Sequence, residues 1–206
     1  MMTLRWSATS PYVRKVMMVA IEAGLDGRLS CRATDPWSAD TDLPNDNPLG
    51  KVPALTVEDG TVLFDSPVIV EYLAALNPAA GLLPADGPAR WAALRFQAVA
   101  DGICDAAILR RLENNRTDGE KSAGWMERQR KAVARALDVL EAEAATLSAT
   151  PPDRPTIGTL AVVAALAYLD FRFGHEPWRE GRPALAAWFA TASDRDSVRR
   201  TVPPGA

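Results

Sequence analysis

The sequence predicts a small α/β domain followed by an all-α domain. Its first 76 residues alternate short apolar runs of strand length with two helical patterns, in the order β-α-β-loop-β-β-α. Residues 77–88 (NPAAGLLPADGP) then concentrate Pro and Gly, and the chain beyond them is helical in pattern. We therefore expect two domains, at residues 1–78 and 88–206, joined by a short linker.

The elements of the first domain follow from its periodicity. Apolar residues spaced three and four apart from Val13 to Ile21 predict a helix from Pro11 to about Gly24, and a second helix is predicted over 66–76. Crossover through the first helix makes the first two strands parallel, whereas the turn at 58–61 (EDGT) makes the last two a hairpin. The strands are predicted at 2–6, 28–33, 54–57 and 62–64.

The second domain shows two apolar stripes at helical spacing. One stripe runs from Val133 to Leu147 in steps of three and four residues. The other runs from Leu160 to Phe171, and its high apolar content predicts a central, buried helix.

Composition narrows the classes of function. The net charge of -3 gives no basic footprint for nucleic acid, and no apolar run reaches the roughly 18 residues of a membrane span. We expect a cytoplasmic protein. Cys31 and Cys104 lie far apart in sequence, and His175 is the single histidine, which argues against a disulfide framework and a metal site. Any Ser-His-Asp triad would have to include His175. Both cysteines are expected to be small core residues or inert thiols.

Two Ser-Pro pairs open the two helices of the first domain. Ser10-Pro11 and Ser66-Pro67 each place serine at the N-cap and proline at the first helical position. Each helix start also leaves free N–H groups and a positive dipole end that suit an anion. The pairs alone are consistent with simple capping or with ligand binding.

The segment between the pairs favours ligand binding. In NPLGKVPAL (residues 47–55), Pro53 opens a strand, a position where proline is often cis, and would leave the main chain of Val52 turned toward a ligand. Lys51 is suited to a carboxylate and Asp65 to an ammonium group. With the helix starts, these residues predict docking points for a zwitterionic peptide that carries two carboxylates, one amine and a thiol near Ser10.

The motifs SPYVRKV, NPLGKVPAL and DSPVIVEYL together resemble those of the cytosolic glutathione transferases, and the resemblance covers essentially the whole chain. It implies a thioredoxin-like first domain, a helical second domain, a homodimer, and glutathione as co-substrate with no metal. It further implies glutathione-binding roles for five residues. Val52, before a cis Pro53, makes main-chain bonds to the cysteinyl part. Asp65 and Ser66 bind the γ-glutamyl part, and Lys51 binds the glycyl carboxylate.

The resemblance also assigns Ser10 the activating role, as a hydrogen-bond donor to the glutathione thiolate. Thr9 is the alternative donor, while Tyr12 lies inside the helix and is a poorer candidate. No cysteine stands at or near Ser10, which disfavours thiol-disulfide exchange through a protein thiol.

The second substrate is expected between the domains, against the start of the first helix and the long helix after Pro88. We place Trp6, Tyr12, Asp105 and Ile108 there. Asp101 and Asp105 interrupt an apolar stripe on that helix, which indicates a polar cavity, a dimer-axis cleft or a solvated face. Arg110 and Arg111 are candidates for the neighbourhood of that pocket, with a surface position as the default expectation.

The leading functional expectation is a detoxifying transferase that adds glutathione to a mostly apolar electrophile or reduces a hydroperoxide. A non-catalytic protein that binds glutathione or another ligand is the alternative, and a glutathione-dependent isomerase is a third. The sequence also predicts a weakened cap at Thr156, because Thr159 stands where the family has aspartate, and a helix-propensity penalty at Gly158.

Overall fold

The computed structural model describes residues 1–149 and 154–205, so the predicted second domain includes four internal residues and Ala206 that lie outside the described residues. A four-stranded sheet in the order β2-β1-β3-β4 forms the first part of the chain. Its strands are β1 (Met2–Trp6), β2 (Leu29–Ala33), β3 (Ala54–Thr56) and β4 (Val62–Leu63). β1 pairs with β2 in parallel and with β3 antiparallel, and β3 and β4 form the predicted hairpin.

Two helices pack together on this sheet. They are α1 (Pro11–Glu22) and α2 (Ser66–Leu76). α1 connects the parallel strands β1 and β2, so it is the crossover helix that parallel pairing requires. Its buried face includes Val13, Val16 and Val19, which fill the core under β1. The sequence thus predicted both the sheet and its helices, with ends that differ by at most two residues.

The start of α2 differs from the prediction. The N-cap residue is Asp65 rather than Ser66, and Ser66 and Pro67 are the first two helical residues. Asp65 makes no side-chain capping bond. The Ser-Pro pair therefore caps α1 but not α2, because α2 begins one residue earlier than the pair alone indicates.

The remaining described helices form an all-α unit after a single 3₁₀ turn at Pro78–Ala80. α3 and α6 contact each other more extensively than any other helix pair, and α6 is buried along nearly its whole length, as the apolar stripe predicts. The helices are α3 (Gly87–Asn114), α4 (Ala123–Ala142), α5 (Ala144–Ala149), α6 (Ile157–Phe173), α7 (Pro183–Ser193) and α8 (Asp196–Arg199).

The start of α6 corrects the expectation of a weakened cap and gives the reason for the glycine at 158. The Oγ of Thr159 accepts a hydrogen bond from the N–H of Thr156 at 2.9 Å, while the Oγ of Thr156 accepts from the N–H of Thr159 at 3.2 Å. The capping box is therefore complete, since a hydroxyl can serve in place of a carboxylate. Gly158 is required by packing, because a Cβ there would lie 2.2 Å from the main-chain oxygen of Ala93 on α3.

An ion pair joins the sheet unit to the helical unit. Lys15 on α1 is almost fully buried, and its Nζ donates to both carboxylate oxygens of Asp101 on α3 at 2.7 and 2.8 Å. Because a charge in such a position needs a partner, this pair fixes α1 against α3. It holds the helix that begins after Ser10 against the helix expected to line the second-substrate cleft.

Candidate active site

Ser10 lies at the N-terminus of α1, half-buried. Its Oγ accepts a hydrogen bond from the N–H of Val13 at 3.3 Å, which makes it the N-cap as predicted. Within the described residues, its hydroxyl donates to no acceptor. Because a hydroxyl can accept and donate at once, capping leaves the Ser10 proton free to bind an anion at the helix start.

The loop before β3 is held in shape by a residue that the sequence did not single out. Buried Asn47 accepts from the N–H of Leu49 at 3.0 Å and donates from Nδ2 to the carbonyl of Lys51 at 2.7 Å. An asparagine that folds back on its own loop is typical of Asx turns, so the NPLG stretch carried the signal.

The Val52-Pro53 peptide bond is cis, as predicted, and immediately precedes β3. Among the described residues, the main-chain N–H and C=O of Val52 take part in no hydrogen bond with the rest of the chain. They are available to a peptide-like ligand that runs alongside the strand. Lys51 is exposed next to them.

Asp65 is exposed at the start of α2, and Ser66 behind it is buried. The Phe64-Asp65 peptide bond is also cis. The carboxylate of Asp65 forms no ion pair within the described part of the chain, beside a helix terminus that carries positive potential. An acidic group and a positive helix end side by side suit the amine and the carboxylate of an amino-acid group.

Strand pairing brings these three features to one edge of the sheet. Ala54 at the start of β3 pairs with Arg5 near the end of β1, so the Val52-Pro53 bond lies beside the segment that leads to Ser10. Leu63 at the end of β4 pairs with Leu55, which brings Asp65 to the same edge. The predicted binding residues, about 55 positions apart in sequence, are thus neighbours in the fold.

Two of the predicted second-substrate residues, Tyr12 on α1 and Asp105 on α3, are joined by a hydrogen bond. Tyr12 donates its hydroxyl hydrogen bond to Asp105, while Trp6 and Ile108 are half-buried against the core. Burial raises the pKa of Tyr12, and the neighbouring Cys104 and Asp105 raise it further, so the phenol stays protonated and remains a donor.

Asp101 is not on a solvated face. Burial raises the pKa of its carboxyl, and the positive charge of Lys15 opposes that effect. The negative charges of Asp105 and Asp65 also raise the pKa of Asp101. Lys15, which the sequence did not single out, bonds Asp101 one helical turn before Asp105, the partner of Tyr12.

One further expectation was wrong. Arg110 is buried and forms an ion pair with Glu176, so it is not a surface arginine. Cys104 is buried in the core, while Cys31 is exposed and burial of its sulfur raises the pKa of the thiol, which agrees with an inert thiol. A cavity of about 380 Å³ lies elsewhere, between α5, α6 and α7, and none of the predicted site residues lines it.

No helix among the described residues is long and apolar enough to cross a membrane. A sequence model described as "Glutathione S-transferase, N-terminal domain" matches residues 9–76, and one described as "Glutathione S-transferase, C-terminal domain" matches residues 123–191. Together they cover the sheet edge described above and most of the helical unit.

Individual proteins are similar over different lengths. The uncharacterized GST-like protein YibF of Escherichia coli K12 is 36% identical over 205 residues, which is 100% of both chains. A maleylacetoacetate isomerase of Pseudomonas aeruginosa is 34% identical over 148 residues, or 69% of this chain and 63% of that one. A solved glutathione transferase family member from Pseudomonas fluorescens Pf-5, with bound glutathione, is 44% identical with a TM-score of 0.91, covering 99% of this chain and 100% of that one.

Proposed function

This chain belongs to the glutathione S-transferase family, and we propose on that premise that it transfers glutathione to an electrophilic second substrate. The observation that carries the proposal is the shared sheet edge, where Ser10, Val52-Pro53 and Asp65 meet. The glutathione bound to the Pseudomonas fluorescens relative supports the choice of ligand.

Glutathione is proposed to lie along this edge as an extended peptide. Its cysteinyl main chain pairs with the free N–H and C=O of Val52, and its γ-glutamyl group binds at Asp65 and Ser66. Lys51 binds the glycyl carboxylate. Each contact matches a donor with an acceptor or a cation with an anion, so the peptide has a single favourable direction.

The thiol of this peptide then lies at the start of α1. The Ser10 hydroxyl donates a hydrogen bond to the sulfur, and the helix terminus adds positive potential there. The thiol proton leaves to solvent, and the thiolate uses an electron pair to form a bond to the electrophilic carbon as the leaving group departs. Ser10 has no base beside it and stabilises the thiolate without attacking. The same thiolate would attack the terminal oxygen of a hydroperoxide, breaking the O–O bond and releasing the alcohol. The glutathione sulfenic acid left behind would then form a disulfide with a second glutathione, with loss of water.

Two alternatives have different observable consequences. A glutathione-dependent isomerase would return glutathione unchanged, and the similarity to a maleylacetoacetate isomerase favours it as second candidate. The opening Thr9-Ser10-Pro11, in place of the Ser-Ser-Cys typical of one such class, speaks against it. A protein that binds glutathione without turnover would leave the thiol un-ionised at neutral pH.

We also propose a homodimer in the cytoplasm, where the pool of reduced thiols is maintained. Val68 on α2 and Trp91 on α3 are exposed, and an ion pair between Glu71 and Arg90 at 3.4 Å brings these parts of the two helices together. An apolar patch at that junction is suited to a second copy of the chain. Sedimentation should give a dimer for the wild type and a monomer for Trp91→Glu.

The deciding experiment measures the ultraviolet absorption of bound glutathione thiolate against pH. In the wild type we expect the thiol pKa of bound glutathione to lie well below that of free glutathione. Ser10→Ala should raise this pKa toward the free value and lower turnover at neutral pH about 10- to 100-fold, since one charge-assisted hydrogen bond is lost. Ser10→Thr keeps both the cap and the hydroxyl and serves as the matched control.

Each other outcome has a distinct meaning. An unchanged rate in Ser10→Ala with a loss in Thr9→Val would move the donor to Thr9. If the wild type binds glutathione without lowering the pKa of its thiol, the result would contradict the transferase and support a binding protein. Ionisation with glutathione recovered unchanged after turnover would support the isomerase.

A further inference from the structure

Two arginines near the ends of α3 and α6 differ from the others in the described chain. Arg111 and Arg172 are half-buried, yet neither forms an ion pair with a carboxylate. All other arginines that are buried or half-buried bond a carboxylate or a main-chain carbonyl, as Arg110 does with Glu176. The Nε of Arg172 is buried with no hydrogen-bond partner. Half-buried charges without partners are costly, so this pair requires an explanation.

The packing of α3 on α6 brings the two arginines to the same place. Ala93 and Gly158 touch near the N-termini of these helices, and Arg110 pairs with Glu176 just beyond the C-terminus of α6. The helices therefore run in the same direction, so Arg111 and Arg172 both lie at the common C-terminal end of the pair. Nothing in the described residues neutralises the two charges there.

Tyr168 belongs to the same cluster. It lies four residues before Arg172, one turn away on the same face of α6. Burial raises the pKa of its phenol, and the positive charges of Arg111 and Arg172 oppose that effect. Asp105, the hydrogen-bond partner of Tyr12, lies on α3 six residues before Arg111. That spacing is about 9 Å along the helix axis.

The arginines are also presented in a form that suits a planar anion. The Arg172 guanidinium stacks on the ring of Phe171, with its Cζ 4.1 Å from the ring centroid, and this contact holds it flat. A guanidinium edge matches the two oxygens of a carboxylate, and a protonated Tyr168 supplies a further donor. Ile108 lies on α3 between this cluster and the Tyr12–Asp105 bond, so the space between is suited to an apolar spacer.

We propose that Arg111, Arg172 and Tyr168 bind a carboxylate on the second substrate, so that the preferred electrophiles are carboxylic acids with an apolar spacer before the reacting carbon. This inference rests on the proposed transfer of glutathione. The sequence predicts a mostly apolar electrophile as second substrate, and this inference adds a carboxylate at the end of the apolar part.

The test compares two electrophiles that share the ring and the leaving group, the anion 4-chloro-3-nitrobenzoate and its neutral methyl ester. In both, the thiolate forms a bond to the ring carbon and chloride leaves. With each rate divided by the uncatalysed rate, we expect kcat/KM for the acid to exceed that for the ester by about tenfold or more. Arg111→Gln and Arg172→Gln should each remove most of this preference. Arg135→Gln, an exposed arginine on α4, is the control and should keep it.

A binding measurement separates this inference from the proposed function. Titration calorimetry with the two glutathione conjugates, acid and ester, needs no turnover and should give the same dependence on Arg111 and Arg172. Turnover of the ester with no preference for the acid in either assay would overturn the inference and leave the transferase intact. An arginine-dependent preference for the acid conjugate without turnover would overturn the transferase and keep the anion site.

If Arg172→Gln does not fold, two other measurements test the carboxylate site. They are the preference of Arg111→Gln for the acid over the ester, and the salt dependence of conjugate binding by the wild type. Both conjugates should lose affinity as sodium chloride is raised, because the charged contacts of the glutathione part are screened, but the acid conjugate should lose more, because its two guanidinium contacts are screened as well. Equal salt dependence of the two conjugates would contradict the proposal.

Discussion

Gly158→Ala offers a sharp test of the packing between α3 and α6. The added Cβ would lie 2.2 Å from the main-chain oxygen of Ala93, which is about 1.2 Å short of the 3.4 Å at which ordinary contact begins. The atom in the way belongs to the backbone of α3, so no side-chain rotation relieves the clash. The two helices must separate along the most extensive helix contact in the described chain.

The magnitude follows from two opposing effects. Overpacking a well-filled core costs about 1–3 kcal/mol, and a rigid backbone neighbour places this site at or above the upper end. Alanine in a helix recovers about 1 kcal/mol relative to glycine. We expect a net loss of about 2 kcal/mol in the free energy of unfolding, or a fall of about 4–8 °C in Tm for a chain of this length.

Gly102→Ala on α3 is the matched control. A Cβ at Gly102 meets nothing within 4 Å, so only the helix propensity acts and the variant should be stabilised by up to about 1 kcal/mol. Thermal and urea unfolding of both variants measure the difference. A Gly158→Ala protein as stable as the wild type would refute the close contact and with it the parallel register of α3 on α6.

Two further predictions concern charges. Lys15→Met should destabilise the fold by about 3 kcal/mol because it leaves Asp101 buried without a partner, and Lys15→Met with Asp101→Leu should recover most of the loss; additive losses in urea unfolding would show that the pair is not coupled. The hydrogen bond from Arg5 lowers the pKa of Asp42 to about 2, so its contribution is present above the unfolded pKa of about 3.9 and is lost as pH falls toward 2. In Asp42→Asn, the midpoint of urea unfolding should fall less than in the wild type as the pH is lowered over that range. In Asp40→Asn, a substitution in the same loop, it should fall as in the wild type.

Most of the first domain could be predicted from sequence. β1 and α2 have the predicted bounds, and the cis Val52-Pro53 bond was expected from a proline at a strand start. These features depend on period-2 and period-3.6 patterns and on the conformational limits of single residues. The N-cap of α2 was missed by one residue, since a Ser-Pro pair is compatible with serine at either the cap or the first helical position.

The sequence by itself determined the order of elements, the Ser10 cap and the motifs of the sheet edge, because each depends on neighbours within a few residues. Only the tertiary structure decided which polar groups meet. Lys15 reaches Asp101 across 86 positions and Arg110 reaches Glu176 across 66. No local pattern encodes such pairings, since they depend on how α3 lies against α1 and α6. That placement pairs Arg110 and leaves its neighbour Arg111 unpaired beside Arg172, although the two adjacent arginines are indistinguishable in the sequence.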